Sequence, residues 1–386
     1  MNHNWLLPEN VEDILPGEAW RIETLRRCLL DTFRGHGYQL IVPPLLEYLP
    51  SLLTGTGSDM DIKTFKLVDQ LSGRLMGLRA DITPQAARID AHLLNRQGVV
   101  RLCYAGSVVH TLPEGLMKTR EPLQIGAELF GHAGIEADME IQQLMLEVLR
   151  ITGVSEVHLD LGHVGIFRSL MQHGNVPPEL EADIFCALQG KDGTALAELS
   201  RTLDQPVRAA LCLLPTLYGD SDILNEARRC LPVYPAISRA LDDLANIVTG
   251  LQGGVDSLCI DLAELRGYHY HSGVVFAAYS GGWANAIAQG GRYDKVGRVF
   301  GRSRPATGFS MDLRSICEGL PTPSLPKTIL APYIQEPALR DTINALRAQG
   351  ESVVIDLPGH DAQRNELECD RILVARNGSW QIVNIE

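Results

Sequence analysis

The stretch YAGSVVHTLPEGLMKTREPLQIGAELFG, residues 104–131, indicates the fold of this chain more directly than any other part of its 386 residues. A run of strand-forming residues precedes a polar loop that contains Pro113, Gly115 and Lys118, and a second such run ends at Phe130. Apolar runs on both sides of a loop rich in glycine, proline and charge are typical of two β-strands joined by a connection. We therefore expect a pair of neighbouring strands here.

The flanking sequence continues as an alternation of helices and strands. The spacing of apolar residues predicts helices within residues 10–38 and 132–151, and strands at 38–42, 62–83 (around a turn), 157–161, 257–262 and 273–279. Residues 165–250 are rich in leucine and alanine and predict mostly helix between two β-rich stretches. We therefore expect a core formed by residues 1–164 and 251–320, with a helical insertion at 165–250.

The end of the chain has its own pattern. Residues 321–326 are rich in proline, which is typical of a linker. Beyond them the sequence predicts a strand, a helix, a second strand and a hairpin that turns at Asn377 and Gly378. We expect residues 321–386 to form a small α/β domain.

Composition limits the class of protein. The hydrophobic share is 45% and the charged share 21%, no apolar run approaches the length of a membrane span, and no secretory signal precedes the first helix, so we expect a cytoplasmic protein without a membrane contact. The eight cysteines contain no CxxC pair, which favours small buried side chains over a metal or disulfide framework. The net charge of −13 argues against tRNA as a partner, because nucleic-acid binders usually present a basic face.

The motifs resemble those of a known family. The frame of residues 104–131 resembles the second signature motif of class II aminoacyl-tRNA synthetases, in particular the histidyl-tRNA synthetases, and the segment around residues 15–44 resembles motif 1, which forms the dimer interface there. The stretches 78–88, 264–276 and 289–294 resemble the parts of these enzymes that bind histidine. The resemblance implies an α+β fold with an antiparallel sheet flanked by helices.

The same resemblance implies a histidine pocket. In the family, the matching positions bind the α-amino group, the carboxylate and the imidazole of the amino acid. The histidine-binding residues predicted in this way are Asp81, Thr83, Gln124, Glu128, Arg266, Tyr270, His271 and Tyr293.

Simpler interpretations of these residues stay open at this stage. Asp81 precedes a helix with Pro84 in its first turn and could cap that helix. Gln124 and Glu128 lie four apart on one strand face and could both be solvated. His269 and His271 alternate, as two metal ligands on one strand face would, but two ligands without a third are weak support for a metal site.

The positions that bind ATP in the family are altered. In motif 2 the arginine for the α-phosphate and the following glutamate are replaced by His110 and Leu112, and in motif 3 the arginine for the γ-phosphate is replaced by Ser315. Asp312 replaces a glycine beside the nucleotide, and Arg314 is displaced by one residue, or about 100° around a helix. Each charge-assisted hydrogen bond contributes roughly 1.5–3 kcal/mol, so losing both arginines removes about 3–6 kcal/mol of transition-state stabilisation. We therefore predict no catalytic residues and no cofactor.

A synthetase-like core with an altered nucleotide site and no full anticodon domain resembles one family, the regulatory subunits of short-form ATP phosphoribosyltransferase. The resemblance implies a catalytic subunit as partner, L-histidine as a feedback ligand, a role in the first step of histidine biosynthesis, and a core homodimer within a larger hetero-oligomer. The alternatives are an active adenylating synthetase-like enzyme, and a scaffold with a vestigial pocket.

Overall fold

The computed structural model describes residues 5–54, 58–113, 115, 118–321 and 328–385, and the chain divides into two compact units, Met1–Leu320 and Pro321–Glu386. Most of the expected linker at residues 321–326 lies outside the described residues. Within the described residues, no helix combines the length and the apolar character needed to cross a membrane.

A nine-stranded mixed sheet forms the centre of the first unit. Its strands are β1 (Gln39–Leu40), β5 (Val100–Ser107), β6 (Leu123–Phe130), β7 (His158–His163), β8 (Tyr218–Gly219), β9 (Ser257–Asp261), β10 (Val274–Tyr279), β11 (Ala288–Arg292) and β12 (Ala306–Asp312). The order across the sheet is β1-β5-β6-β12-β11-β10-β7-β9-β8. The pairs β1–β5 and β7–β9 are parallel and all other neighbours are antiparallel. The predicted strand pair in residues 104–131 is β5 and β6, which lie side by side.

A smaller sheet is formed by residues near the start of the chain. It consists of β2 (Leu46–Tyr48), β3 (Lys66–Val68) and β4 (Leu75–Leu78), in the order β2-β4-β3. The β3–β4 connection contains Gly73 with a φ of 70°, a left-handed conformation that glycine adopts without steric cost. This agrees with the turn predicted within residues 62–83.

Helices cover the sheets and fill the segment between β7 and β9. They are α1 (Pro16–Gly35), α2 (Leu49–Leu53), α3 (Ser58–Lys63), α4 (Thr83–Arg88), α5 (Ile135–Thr152), α6 (Val164–His173), α7 (Pro178–Gln189), α8 (Gly193–Leu199), α9 (Gln205–Leu213), α10 (Ile223–Cys230), α11 (Pro235–Gly250) and α12 (Leu313–Gly319). A π-helical turn at Ile89–Leu94 continues α4. Pro16 in the first turn of α1, Glu18 near its start and Arg34 near its end are the residues that such a helix favours at these places.

One continuous apolar core joins the sheet to the helices. Its buried residues include Phe33 of α1, Leu144 of α5 and Phe309 of β12, together with Leu188 and Leu241 of the helical segment. The helices between β7 and β9 therefore bury their apolar faces in the same cluster as the sheet.

One predicted strand and one predicted strand face differ from the structure, whereas the strand predicted at residues 273–279 agrees with β10. The strand expected at residues 38–42 is confined to Gln39–Leu40, although the Ile41 N–H still donates to the Cys103 carbonyl at 2.9 Å. The residues from Leu265 to Tyr270 form successive turns, and β10 begins only at Val274. The expectation that His269 and His271 share one strand face is therefore wrong.

The second unit is a small α/β structure by itself. It contains β13 (Thr328–Pro332), α13 (Pro337–Ala348), β14 (Ser352–Asp356), β15 (Cys369–Arg376) and β16 (Ser379–Asn384), with the sheet order β14-β13-β15-β16. The last two strands form the predicted hairpin, and Asn377 and Gly378 both have positive φ angles, as a tight type I′ turn requires.

Candidate ligand-binding site

The larger of two neighbouring cavities lies over the middle of the nine-stranded sheet and has a volume of about 490 Å³. Seven of the eight predicted site residues line it: Asp81, Thr83, Glu128, Arg266, Tyr270, His271 and Tyr293. They come from the start of α4, from β6, and from the segments before β10 and after β11. The eighth, Gln124, lines the smaller cavity next to it.

Glu128 is the buried carboxylate of the larger cavity, with 1% of its surface exposed. One of its oxygens accepts a hydrogen bond from the Tyr104 hydroxyl at 2.9 Å, and the other accepts one from the Tyr293 hydroxyl. Burial raises the pKa of Glu128 to about 8, while the two hydroxyl donors oppose that shift. The interpretation of Glu128 as a solvated residue on the strand surface is therefore wrong.

The sheet provides the space for this carboxylate through a glycine. Gly308 on β12 lies directly opposite Glu128 on β6. A Cβ atom at position 308 would lie 1.6 Å from Glu128 Oε2. The carboxylate therefore occupies volume that a side chain at position 308 would fill.

Asp81 is held by the residues around it. Its Oδ1 accepts the Thr83 backbone N–H at 3.0 Å and the Gln124 side-chain amide at 2.7 Å. The carbonyl of the same Gln124 amide accepts the Ile82 backbone N–H at 2.8 Å. Gln124 thus orients Asp81, and Asp81 lines both cavities. Asp81 accepts the first N–H of α4 and also lines the cavities. The sequence left open whether it lies at the start of the helix or in the pocket, and its position satisfies both.

Arg266 supplies positive charge to the lining of the larger cavity. Its guanidinium donates to the Tyr279 hydroxyl at 2.8 Å and lies 3.4 Å from the Glu264 carboxylate. The side chain keeps 41% of its surface exposed, so the guanidinium can also reach a ligand. A carboxylate and a guanidinium in the lining of one cavity match the two charged ends of an amino acid.

Tyr270 and His271 carry buried polar atoms. The Tyr270 hydroxyl and His271 Nδ1 have no hydrogen-bond partner among the described residues. Burial lowers the pKa of His271 to about 4, so its ring is neutral near pH 7. The Tyr270 ring lies 5.0 Å from that of Tyr293, measured between centroids. Buried polar atoms without a partner are costly, and a polar ligand in the cavity is one way to satisfy them.

Two residues that support this site through hydrogen bonds, without being among the described residues that line the cavity, were not predicted from the sequence. Tyr104 bonds both Glu128 and Thr83, and Arg168 on α6 donates to the backbone carbonyls of Tyr268 and His271 at 3.1 and 3.0 Å. Tyr104 is the first residue of the opening stretch, but only the β5–β6 register brings its hydroxyl to Glu128. Arg168 lies about a hundred residues from its partners, and no local signal marks it.

The smaller cavity has a volume of about 300 Å³, and the described residues that line it form no strong anion site. Among the described residues that line it, no arginine is present; the cations are Lys63 and Lys118, and Asp81 and Asp312 oppose them. Lys118 Nζ donates to Ser315 Oγ at 2.5 Å.

The altered motif positions have structural partners. His110 Nε2 lies 2.9 Å from the Ala80 carbonyl oxygen, and Asp312 accepts backbone N–H groups of Leu123 and Arg314 at 3.0 and 3.1 Å. Burial raises the pKa of Asp312 to about 6. The Arg314 guanidinium lies 3.1 Å from Glu12 Oε1 and is not among the described residues that line the cavity. Asp312 therefore caps α12, and Arg314 does not take the place of the missing arginine.

Comparisons with known proteins agree with this geometry. A family model described as histidyl-tRNA synthetase matches residues 10–316, and one described as the ATP phosphoribosyltransferase subunit HisZ C-terminal domain matches residues 326–383. A crystal structure from Bacillus halodurans, described as an ATP phosphoribosyltransferase regulatory subunit/histidyl-tRNA synthetase, has a TM-score of 0.84 at 27% identity and covers 96% of this chain and 98% of its own. A histidyl-tRNA synthetase from a Nostoc species has a TM-score of 0.78 at 18% identity, which is a likeness of fold alone.

The fold and the cavities thus define a class II aminoacyl-tRNA synthetase-like protein. Curated ATP phosphoribosyltransferase regulatory subunits from Nitrosospira multiformis and Cupriavidus necator are each 57% identical to it, over 98% and 99% of this chain and 98% and 100% of theirs. The chain belongs to the family of ATP phosphoribosyltransferase regulatory subunits. The predicted fold class and the predicted non-catalytic, regulatory role in histidine biosynthesis are confirmed.

Proposed function

We propose that the larger cavity binds L-histidine, and that this binding carries the feedback signal to a catalytic ATP phosphoribosyltransferase subunit. The observation that carries the proposal is the buried Glu128 with its two tyrosine hydroxyls, in a cavity that also presents Asp81 and Arg266. We infer the orientation of the ligand from these charges. The α-ammonium lies near Asp81 and Thr83, the α-carboxylate near Arg266, and the imidazole near Glu128 and Tyr293.

The imidazole end determines which amino acid is preferred. Glu128 lies in surroundings that disfavour its charge, and the N–H of an imidazole is a donor that stabilises the ionised carboxylate. An apolar amino acid would add no donor to those of Tyr104 and Tyr293, so it would gain none of this stabilisation from Glu128. His271 and Tyr270 add a neutral ring nitrogen and a hydroxyl at the same cavity.

The smaller cavity supports regulation without adenylation. Adenylation needs groups that bind the phosphates of ATP, and Asp312 and Asp81 offset the charge of Lys63 and Lys118 there. We therefore propose that histidine is bound and released without reacting, and that tRNA is not a partner.

The partner and the assembly are part of the proposal. The names of the relatives imply a catalytic ATP phosphoribosyltransferase subunit, and we propose that this chain assembles with it in the cytoplasm. A core homodimer is supported by residues 40–48, where Leu40 is 51% and Val42 84% exposed. Within the first unit we take residues 165–250 as a helical insertion in the core formed by 1–164 and 251–320.

Histidine can shift the complex between two arrangements only as far as its affinities for them differ. Such a difference is typically 1–3 kcal/mol, or about five- to 150-fold. We propose that the loop from Glu264 to Gly273 changes its position between the two arrangements. It lines the cavity, and Arg168 links it to α6, so a change at the ligand can be passed to that helix.

The direct test is calorimetric titration of the full chain with L-histidine, with and without ATP. We expect histidine to bind and ATP to leave its affinity unchanged. Glu128→Gln should abolish measurable binding and remove histidine inhibition of the complex with the catalytic subunit, while Asp312→Asn in the smaller cavity should leave histidine binding intact.

Two results would contradict the proposal. Coupling between ATP and histidine, with ATP–pyrophosphate exchange, would indicate an adenylating enzyme. Binding of the catalytic subunit without histidine binding, in the chain and in the complex, would indicate a scaffold with a vestigial pocket.

A further inference from the structure

A second set of polar side chains lies on β7 and β9, toward the edge of the nine-stranded sheet. Among the described residues, the ligand atoms of His158, Asp160 and Cys259 all lie within 4.8 Å of one another. The two strands are parallel, with Asp160 paired with Cys259 and His158 paired with Ser257, so the four side chains project from the same face. Their grouping therefore follows from the strand register and does not depend on loop conformation.

The donor set is one that suits zinc. A thiolate, an imidazole nitrogen and a carboxylate oxygen are all zinc ligands, with bonds of about 2.0–2.3 Å. Tetrahedral bonds of that length place ligand atoms roughly 3.3–3.8 Å apart, and the three ligand atoms here lie within 4.8 Å of one another. Hard cations such as Mg²⁺ prefer oxygen ligands, so the thiol favours zinc over them.

The surroundings fit a bound dication. His158 Nε2 lies 2.9 Å from Asp160 Oδ1, and His158 Nδ1 lies 2.6 Å from Ser257 Oγ. A hydroxyl at Nδ1 is the kind of partner that orients a metal-binding imidazole so that Nε2 faces the ion. The nearby carboxylate of Asp261 is bonded to Lys191 at 2.8 Å and is not available as a fourth ligand.

We propose that His158, Asp160 and Cys259 form a zinc site that joins β7 to β9, with water as the fourth ligand. The side chains of His158 and Asp160 are 42% and 30% exposed, so the ion can enter from solvent and water can complete its shell. Zinc binding requires the Cys259 thiol to release its proton to solvent. The zinc site shares Asp160 with the lining of the larger cavity, whereas His158 and Cys259 are not among the described residues that line that cavity.

The test uses the full chain, freed of metal, and titrates it with Zn²⁺ by calorimetry and with Co²⁺ by absorption spectroscopy. We expect one equivalent to bind and Co²⁺ to give a thiolate charge-transfer band. Loss of an outer hydrogen bond commonly weakens a metal site by about ten- to a hundredfold, so Ser257→Ala should fall in that range and Cys259→Ser should lose at least as much. Cys230→Ser, which changes an exposed cysteine, is the matched control and should bind like the unchanged chain.

A second readout separates binding from folding. Zn²⁺ should raise the melting temperature of the unchanged chain and of Cys230→Ser, but not that of Cys259→Ser, because a ligand of the native state stabilises that state. His36→Gln removes a surface histidine–glutamate pair without a thiol and should not change the response. The proposal is overturned if the unchanged chain binds no stoichiometric zinc, if Cys259→Ser binds it equally well, or if the Co²⁺ spectrum lacks the thiolate band.

Discussion

The two neighbouring cavities of the first unit share Asp81 as a wall but differ in what their charges can do. In the larger cavity, Glu128 and Arg266 are both part of the lining. A small zwitterion with a polar side chain can pair with both of them. In the smaller cavity, Lys118 is bonded to Ser315, and Asp312 is bonded to the backbone of α12. The comparison teaches that two cavities of one fold can differ in whether their charged side chains are available to a ligand or are bonded within the protein.

The largest effect on histidine affinity is expected at Gly308, where the lack of a side chain leaves room for the Glu128 carboxylate. Gly308→Ala places a Cβ against the Glu128 carboxylate, so Glu128 has to leave its two tyrosine donors. We expect histidine affinity to fall by about a hundredfold or more, close to 2.8 kcal/mol, and stability to fall by about 1–3 kcal/mol. Calorimetry and urea unfolding measure the two effects.

Gly193→Ala is the control for Gly308→Ala, because no atom lies within 4 Å of a Cβ at position 193. Its stability should stay within about 0.5 kcal/mol of the unchanged chain. If Gly308→Ala retained full histidine affinity, Glu128 would not be part of the binding site.

A second effect separates Glu128 from Asp312 by the pH range over which each carboxyl group changes the stability. Glu128 has an ordinary pKa near 4.5 when unfolded and about 8 in the folded chain, where Tyr104, Tyr293, Thr83 and Asp81 surround it. Between those values the folded chain keeps a proton that the unfolded chain has lost, so stability falls as pH rises, by up to about 1.4 kcal/mol per pH unit.

Between about pH 6.5 and pH 8, above the window of Asp312 and of the buried His271, this slope should disappear in Glu128→Gln and persist in Asp312→Asn. Asp312 contributes a slope of the same sign, but its window ends near pH 6, where its folded pKa lies. Urea unfolding from about pH 5 to about pH 9 distinguishes them. An unchanged slope in Glu128→Gln would mean that Glu128 is ionised in the folded chain throughout that range.

An intermediate effect on histidine affinity is expected at Asp81, which lines both cavities. Gln124→Ala removes the hydrogen bonds to Asp81 and to the Ile82 backbone, so Asp81 loses one of the two donors that hold it and keeps the Thr83 backbone N–H. One charge-assisted hydrogen bond corresponds to about 1.5 kcal/mol, and we expect histidine affinity to fall by about tenfold.

Gln143→Ala changes an exposed glutamine with one long bond to the Gly250 carbonyl, and it serves as the control. Its histidine affinity should equal that of the unchanged chain. Equal affinities for the two glutamine variants would show that Asp81 does not contact the ligand or does not need Gln124.

The smallest effect is expected in the smaller cavity. Ser315→Ala removes the acceptor of Lys118, a contact that lines only that cavity. Histidine affinity should change by less than about twofold, and stability by less than about 0.5 kcal/mol. A tenfold change measured by calorimetry would show that the two cavities are coupled, and the contrast between them would then be wrong.

Local sequence patterns were sufficient for most of the elements. Regular apolar spacing predicted α1 and α5, and the turn residues Asn377 and Gly378 predicted the final hairpin. The stretch before β10 was harder, because residues of strand type there form turns that are stabilised by distant groups such as Arg168. Its conformation depends on partners that no local window contains.

By itself the sequence determined the family, the altered nucleotide positions and the residue types around the larger cavity, because motif spacing and side-chain chemistry are local properties. Only the tertiary structure decided how those residues act: that Tyr104 bonds Glu128, that Gln124 orients Asp81, and that Arg314 lies with Glu12. The grouping of His158, Asp160 and Cys259 depended on it as well. The physical reason is that strand register and long-range packing set the distances between side chains, and those distances determine both hydrogen bonding and the cost of burying a charge.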